Sequence, residues 1–64
     1  MKKIWYEVFE VMLCGGTRTL EVCDTLTEAI DKRIKLKSGS YNQTELHIDK
    51  WENINNPRNV GSIL

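Results

Sequence analysis

Ile4-Trp5-Tyr6-Glu7-Val8-Phe9-Glu10-Val11-Met12-Leu13 holds the densest apolar and aromatic content of the chain, and its reading decides the fold. Trp5, Phe9, Val11 and Leu13 alternate onto one side, with Glu7 among them; Ile4, Tyr6, Val8 and Met12 take the other, with Glu10. A strand that is apolar on both faces belongs in the middle of a sheet.

Immediately after it, Gly15-Gly16 tolerates positive φ and Thr17 to Cys23 is rich in β-formers, so the sequence predicts a hairpin closed by a two-residue turn. Counting back from that turn sets Leu13 across from Arg18, Val11 from Leu20 and Phe9 from Val22, which gathers Phe9, Val11, Leu13, Leu20 and Val22 into one apolar patch. The same count places Glu10 opposite Glu21, a pair that must see water or a partner. It also places Glu7 opposite Asp24, tolerable only where the hairpin frays or bulges.

Thr25-Leu26-Thr27-Glu28 has the form of a capping box, in which the hydroxyl takes an N3 amide and the glutamate reaches back. The helix it opens runs to about Ser38, with Gly39 expected in the left-handed position beyond its end. At about 100° per residue, Leu26, Ala29, Ile30, Ile34 and Leu36 form the apolar stripe. Arg33 and Lys37 lie inside it and are expected to lay their methylenes on the core. Residues 38–43 read as a loop. Thr44 to Trp51 alternates again, Leu46 and Ile48 on one side and His47, Asp49 and Trp51 on the other. Beyond Glu52, Asn53, Asn55, Asn56, Pro57 and Asn59 break regular structure.

These elements predict an α+β fold: a single small ββαβ domain over residues 1–52, with a three-stranded sheet of order 2-1-3 and one helix on one face, followed by an irregular tail over residues 53–64. In this arrangement the helix covers Phe9, Val11, Leu13, Leu20, Val22, Leu46 and Ile48. The uncovered face then holds Ile4, Tyr6, Val8, Met12, Cys23 and Trp51, mixed with Glu10, Glu21, His47 and Asp49. Burying a large apolar side chain is worth ~1.5–3 kcal/mol, so these six are the expected interface with a protein partner or a second copy of the chain. A monomer that folds Ile54, Val60, Ile63 and Leu64 back over the same face is the competing expectation.

Composition narrows the function classes further. With 64 residues, the chain is one domain, and a domain of this size buries only ~60% of the surface of its unfolded chain. Nine acidic and nine basic residues cancel, so no bulk field directs the protein to nucleic acid or to an anionic membrane. No stretch reaches the ~18–20 apolar residues of a membrane span. The apolar run after Lys2-Lys3 is interrupted by Glu7 and Glu10 and followed by no small-residue cleavage site, so a cytoplasmic location is expected, where the Asn42-Gln43-Thr44 sequon has no meaning.

Cys14 and Cys23 are placed too far apart along the hairpin to bridge, and two free thiols suit a reducing compartment. With His47 they match no metal-ligand spacing, and no metal or cofactor is expected. A single histidine, with no serine or cysteine beside a local base, gives catalysis nothing to work with, so the chain reads as non-enzymatic. The alternative to a protein partner is nucleic acid held by the basic end of the helix, Lys32, Arg33, Lys35 and Lys37, with Tyr41 as a stacking ring. Against that, bases at a helix end are what the helix dipole favours on any surface helix.

Overall fold

The computed structural model describes residues 2–63 as β1 (Lys3–Val11), β2 (Thr17–Cys23), α1 (Leu26–Lys37), β3 (Glu45–Asn53) and β4 (Pro57–Ser62). The strands form one sheet in the order β2-β1-β3-β4, every neighbouring pair antiparallel, and α1 packs on β1, β2 and β3. The sheet therefore has four strands and not three. Its fourth strand is the segment expected as an irregular tail. Asn53 pairs with Pro57, so the Asn-rich stretch between them is a turn and not a terminus. Pro57 is tolerated because it opens an edge strand, where no ladder amide is required of it.

The hairpin turn differs from expectation as well. Gly15 donates to the Met12 carbonyl and Met12 to that of Gly16, and Gly15 alone of the glycine pair has positive φ, +96°. Leu13, Cys14 and Gly15 thus form a three-residue loop with glycine in its left-handed position. Val11 consequently faces Thr17, Phe9 faces Thr19, and Glu10 faces Arg18 instead of Glu21. The like-charge pair is replaced by an ion pair, Arg18 Nη2 to Glu10 Oε1 at 3.3 Å. Leu20 is an extra residue on β2, and beyond this bulge Glu7 meets Val22 instead of Asp24.

The helix lies on the face opposite to the one expected. β3 offers one apolar side, Leu46 and Ile48, and its register with β1 sets Leu46 across from Glu10 and Ile48 across from Val8. The even-numbered residues of β1 therefore go under the helix. Val8 and Ile48 are fully buried with Ala29 and Cys23, and Tyr6, Leu26 and Leu36 pack around them. A shift of one residue in the β1–β3 register would have exchanged the faces.

Thr25 caps α1 in extended conformation, its Oγ1 accepting from the Glu28 amide at 3.2 Å. Gly39 lacks the positive φ expected of it. The helix instead unwinds through successive turns in which Gly39 and Tyr41 both donate to the Leu36 carbonyl. Ile30 and Ile34, read as core, are exposed, because the buried stripe runs through Leu26, Ala29, Arg33 and Leu36. Arg33 Nε donates to the Leu46 carbonyl at 3.1 Å and Lys37 Nζ to that of Thr44 at 2.6 Å. Two cations thus pin the C-terminal half of the helix to the start of β3.

At the opposite end, Glu52 accepts from Lys2 at 3.2 Å and from Arg58 at 2.8 Å, tying β4 and the chain start to β3. The hydrogen bond from Lys2, reinforced by the charges of Lys2, Arg58 and Lys50, holds the Glu52 carboxyl below the ordinary glutamate range. A carboxyl depressed in the folded state stabilises above its unfolded value, and that contribution is lost as pH falls through the folded one. Glu52→Gln is therefore expected to leave acid-side stability less dependent on pH below about pH 4.5, measured as urea midpoints between neutral pH and pH 3. An unchanged acid slope would remove this pair from the account.

Candidate functional site

The side chains that the fold leaves uncovered belong to the odd-numbered residues of β1 and their partners. Trp5 pairs with Trp51, Glu7 with Asp49, Phe9 with His47 and Val11 with Glu45 across β1–β3; Thr19 and Val22 join them from β2 and Asn59 from β4. The two indoles stack in parallel, centroids 6.1 Å apart and planes 8° from coplanar. Phe9 and His47 form a second ring pair at 5.8 Å. Trp5, Phe9 and Trp51 are all half-buried, so each ring presents part of its surface outward.

Between the ring pairs lies a polar layer. Glu7 Oε1 accepts from the Trp51 indole Nε1 at 2.9 Å, and Glu7 Oε2 accepts from the Thr19 hydroxyl. Asp49 accepts from the Asn59 amide at 2.8 Å, and Glu45 lies 2.9 Å from His47 Nε2. These hydrogen bonds hold the Glu7 and Asp49 side chains in place on the face. A shallow depression of about 210 Å³ opens among Trp5, Glu7, Thr19, Val22 and Trp51. A second, of about 220 Å³, continues it past Val22 to Lys3, Asp24 and Asn53.

Of the six residues expected on the free face, Trp51 is there. Val8 and Cys23 are buried beneath the helix and Tyr6 packs against them, while Ile4 shares their side of β1 by register. Met12 lies at the hairpin turn, beside an open hollow of about 750 Å³ that reaches Gln43 to Glu45. Burial, then the neighbouring carboxylates of Glu28 and Glu21, push the Cys23 thiol up from its ordinary value, which keeps it protonated and unreactive at neutral pH. Cys14 is exposed on the turn. Among the described residues no three His, Cys, Asp or Glu side chains converge as a metal site requires, and no helix is long and apolar enough to cross a membrane.

The basic set is dispersed. Arg33 and Lys37 are committed to main-chain carbonyls, Lys35 pairs with Asp31 at 3.0 Å, and the Tyr41 hydroxyl accepts from Arg18 at 3.4 Å. Lys32 is exposed on the helix. Sequence reasoning misses Trp5, Glu7 and Phe9 because alternation puts them on the side of β1 that reads as core. The parity of the β1–β3 pairing would have found them, and nothing local encodes it. Set against family models, curated proteins and solved structures, the chain has no significant match.

Proposed function

We propose that the protein is a small non-enzymatic interaction module that buries its helix-free sheet face against a protein partner. The observation that carries this reading is the stacked Trp5–Trp51 pair, held half-open on that face beside Val22, which is 60% exposed. Tryptophan is the residue type most concentrated at the energetic centres of protein interfaces, and here two of them are pre-arranged by stacking and by the Glu7 hydrogen bond. Binding therefore costs little side-chain ordering.

A second copy of the chain is the poorer occupant. A twofold contact through this face would set Glu7 and Asp49, at its centre, against the same two residues of the other copy, and like charges juxtaposed in an interface are strongly unfavourable. Nucleic acid fits less well again, since the face is acidic and two of the helix's four bases are tied to main-chain carbonyls. A photo-crosslinking phenylalanine analogue at Val22 is expected to capture one defined protein from an extract, whereas the same probe at Lys32, on the outer helix, captures none. Equal capture from both positions, or none from Val22, would sink the proposal.

A further inference from the structure

Charge on the free face is lopsided, although the whole chain is neutral. By register or by the depressions they line, Glu7, Glu45, Asp49 and Asp24 belong to it, and among the described residues Lys3 is the one lysine or arginine that does, with His47 beside Glu45. Arg18, Lys50 and Arg58 fall on the helix side, across from Glu10, Tyr6 and Glu52. Glu7 and Asp49 stand directly opposite each other on adjacent strands, an arrangement that destabilises a sheet unless a cation intervenes. Among the described residues an indole and a hydroxyl donate to Glu7 and an amide donates to Asp49.

Resting on the interaction reading above, we infer that the partner presents an arginine side chain, which stacks on the Trp5–Trp51 pair and forks onto Glu7. Three features of the site favour a guanidinium. A carboxylate offers about four acceptor directions, about two on each oxygen; Trp51 and Thr19 take one on each, which leaves one on each oxygen for a forked donor. Both stacked indoles line the same depression as that carboxylate, and a planar guanidinium can lie flat on an aromatic face where an ammonium acts only as a point charge. The depression lined by Glu7 and both tryptophans is shallow and open, which suits one planar group and not a folded ligand. Asp49, directly across from Glu7, adds to the attraction for one positive charge.

The test uses the full chain and three short capped peptides of alternating glycine and a second residue, which is arginine, lysine or the neutral arginine isostere citrulline. Both tryptophans of the chain lie on this face, so their indole amide resonances and the intrinsic fluorescence report the site directly. The arginine peptide is expected to shift both indole signals, the lysine peptide to bind several-fold more weakly, and the citrulline peptide to leave them unmoved. Glu7→Gln keeps an acceptor for Trp51 and is expected to weaken arginine binding about tenfold, whereas Glu21→Gln, an equal change of charge on the helix side, leaves it unchanged. Equal binding of lysine and arginine, equal loss in the two variants, or no indole shift would overturn the inference. Should Glu7→Gln not fold, the arginine and citrulline comparison on the unaltered chain still decides. If the arginine peptide fails while the Val22 crosslink persists, the guanidinium falls and the interaction reading stands; if both fail, both fall.

Discussion

Ile48→Ala is expected to lower the melting temperature by about 10 °C or more, while Ile34→Ala leaves it within about 3 °C. The two residues are chemically identical and both fall on the apolar side of their elements when the sequence is read alone. In the folded protein Ile48 is 0% exposed and Ile34 is 58% exposed. Truncating a buried isoleucine costs ~2–5 kcal/mol, and a chain of this length has only ~3–10 kcal/mol of stability in all. The loss is the more severe because, among the described residues, the fully buried large side chains are few, Leu46, Ile48 and Val8, and Ile48 pairs directly with Val8. Thermal melts of the two variants by circular dichroism decide the matter. Equal shifts would mean that the helix packs through Ile30 and Ile34 after all.

That contrast marks where the chain's own pattern stops being informative. Local features were legible: Thr25 caps the helix, both strands of the hairpin lie where alternation puts them, and Leu46 and Ile48 are buried together. What could not be read was parity. The β1–β2 register depends on whether two or three residues close the turn, and Gly15-Gly16 is compatible with either. The β1–β3 register has no turn to set it, because α1 and the 38–44 turns intervene. Two faces of β1 of nearly equal apolar content then leave the sequence no preference, and Trp5 and Phe9 exchange roles with Tyr6 and Val8. The site inherits the same ambiguity. Glu7 reads as a misfit on a core face and proves to be the polar centre of a free one, hydrogen-bonded by Trp51 from a strand 44 residues away. The fourth strand was hidden for a different reason: Pro57, Arg58, Asn59 and Gly61 have low strand propensity, and their order comes from pairing with β3 and not from burial.

Removing that strand tests what it is for. Its residues from Pro57 to Val60 are exposed, so a chain ending at Asn53 loses little apolar contact, and its circular dichroism is expected to remain that of a folded α+β protein. What changes is the edge of the sheet. Asp49 to Asn53 of β3, now paired with β4, would present unpaired amides and carbonyls beside the half-buried indole of Trp51, and a flat edge of that kind recruits strands from other molecules. β4 is poorly suited to the same error. It begins with a proline, its register slips at Val60, and Gly61 holds a φ of +129°, so its outer edge is irregular where that of β3 is straight. Light scattering over a range of concentrations is expected to show the full chain monodisperse and the truncated chain associating steeply. Restoring the edge defect within β3 itself, by Lys50→Pro in the truncated chain, is expected to suppress association even as it lowers stability, which separates edge pairing from simple unfolding. Truncated chains that stay monomeric would show that β4 serves the fold by its Arg58–Glu52 ion pair and not by covering an edge.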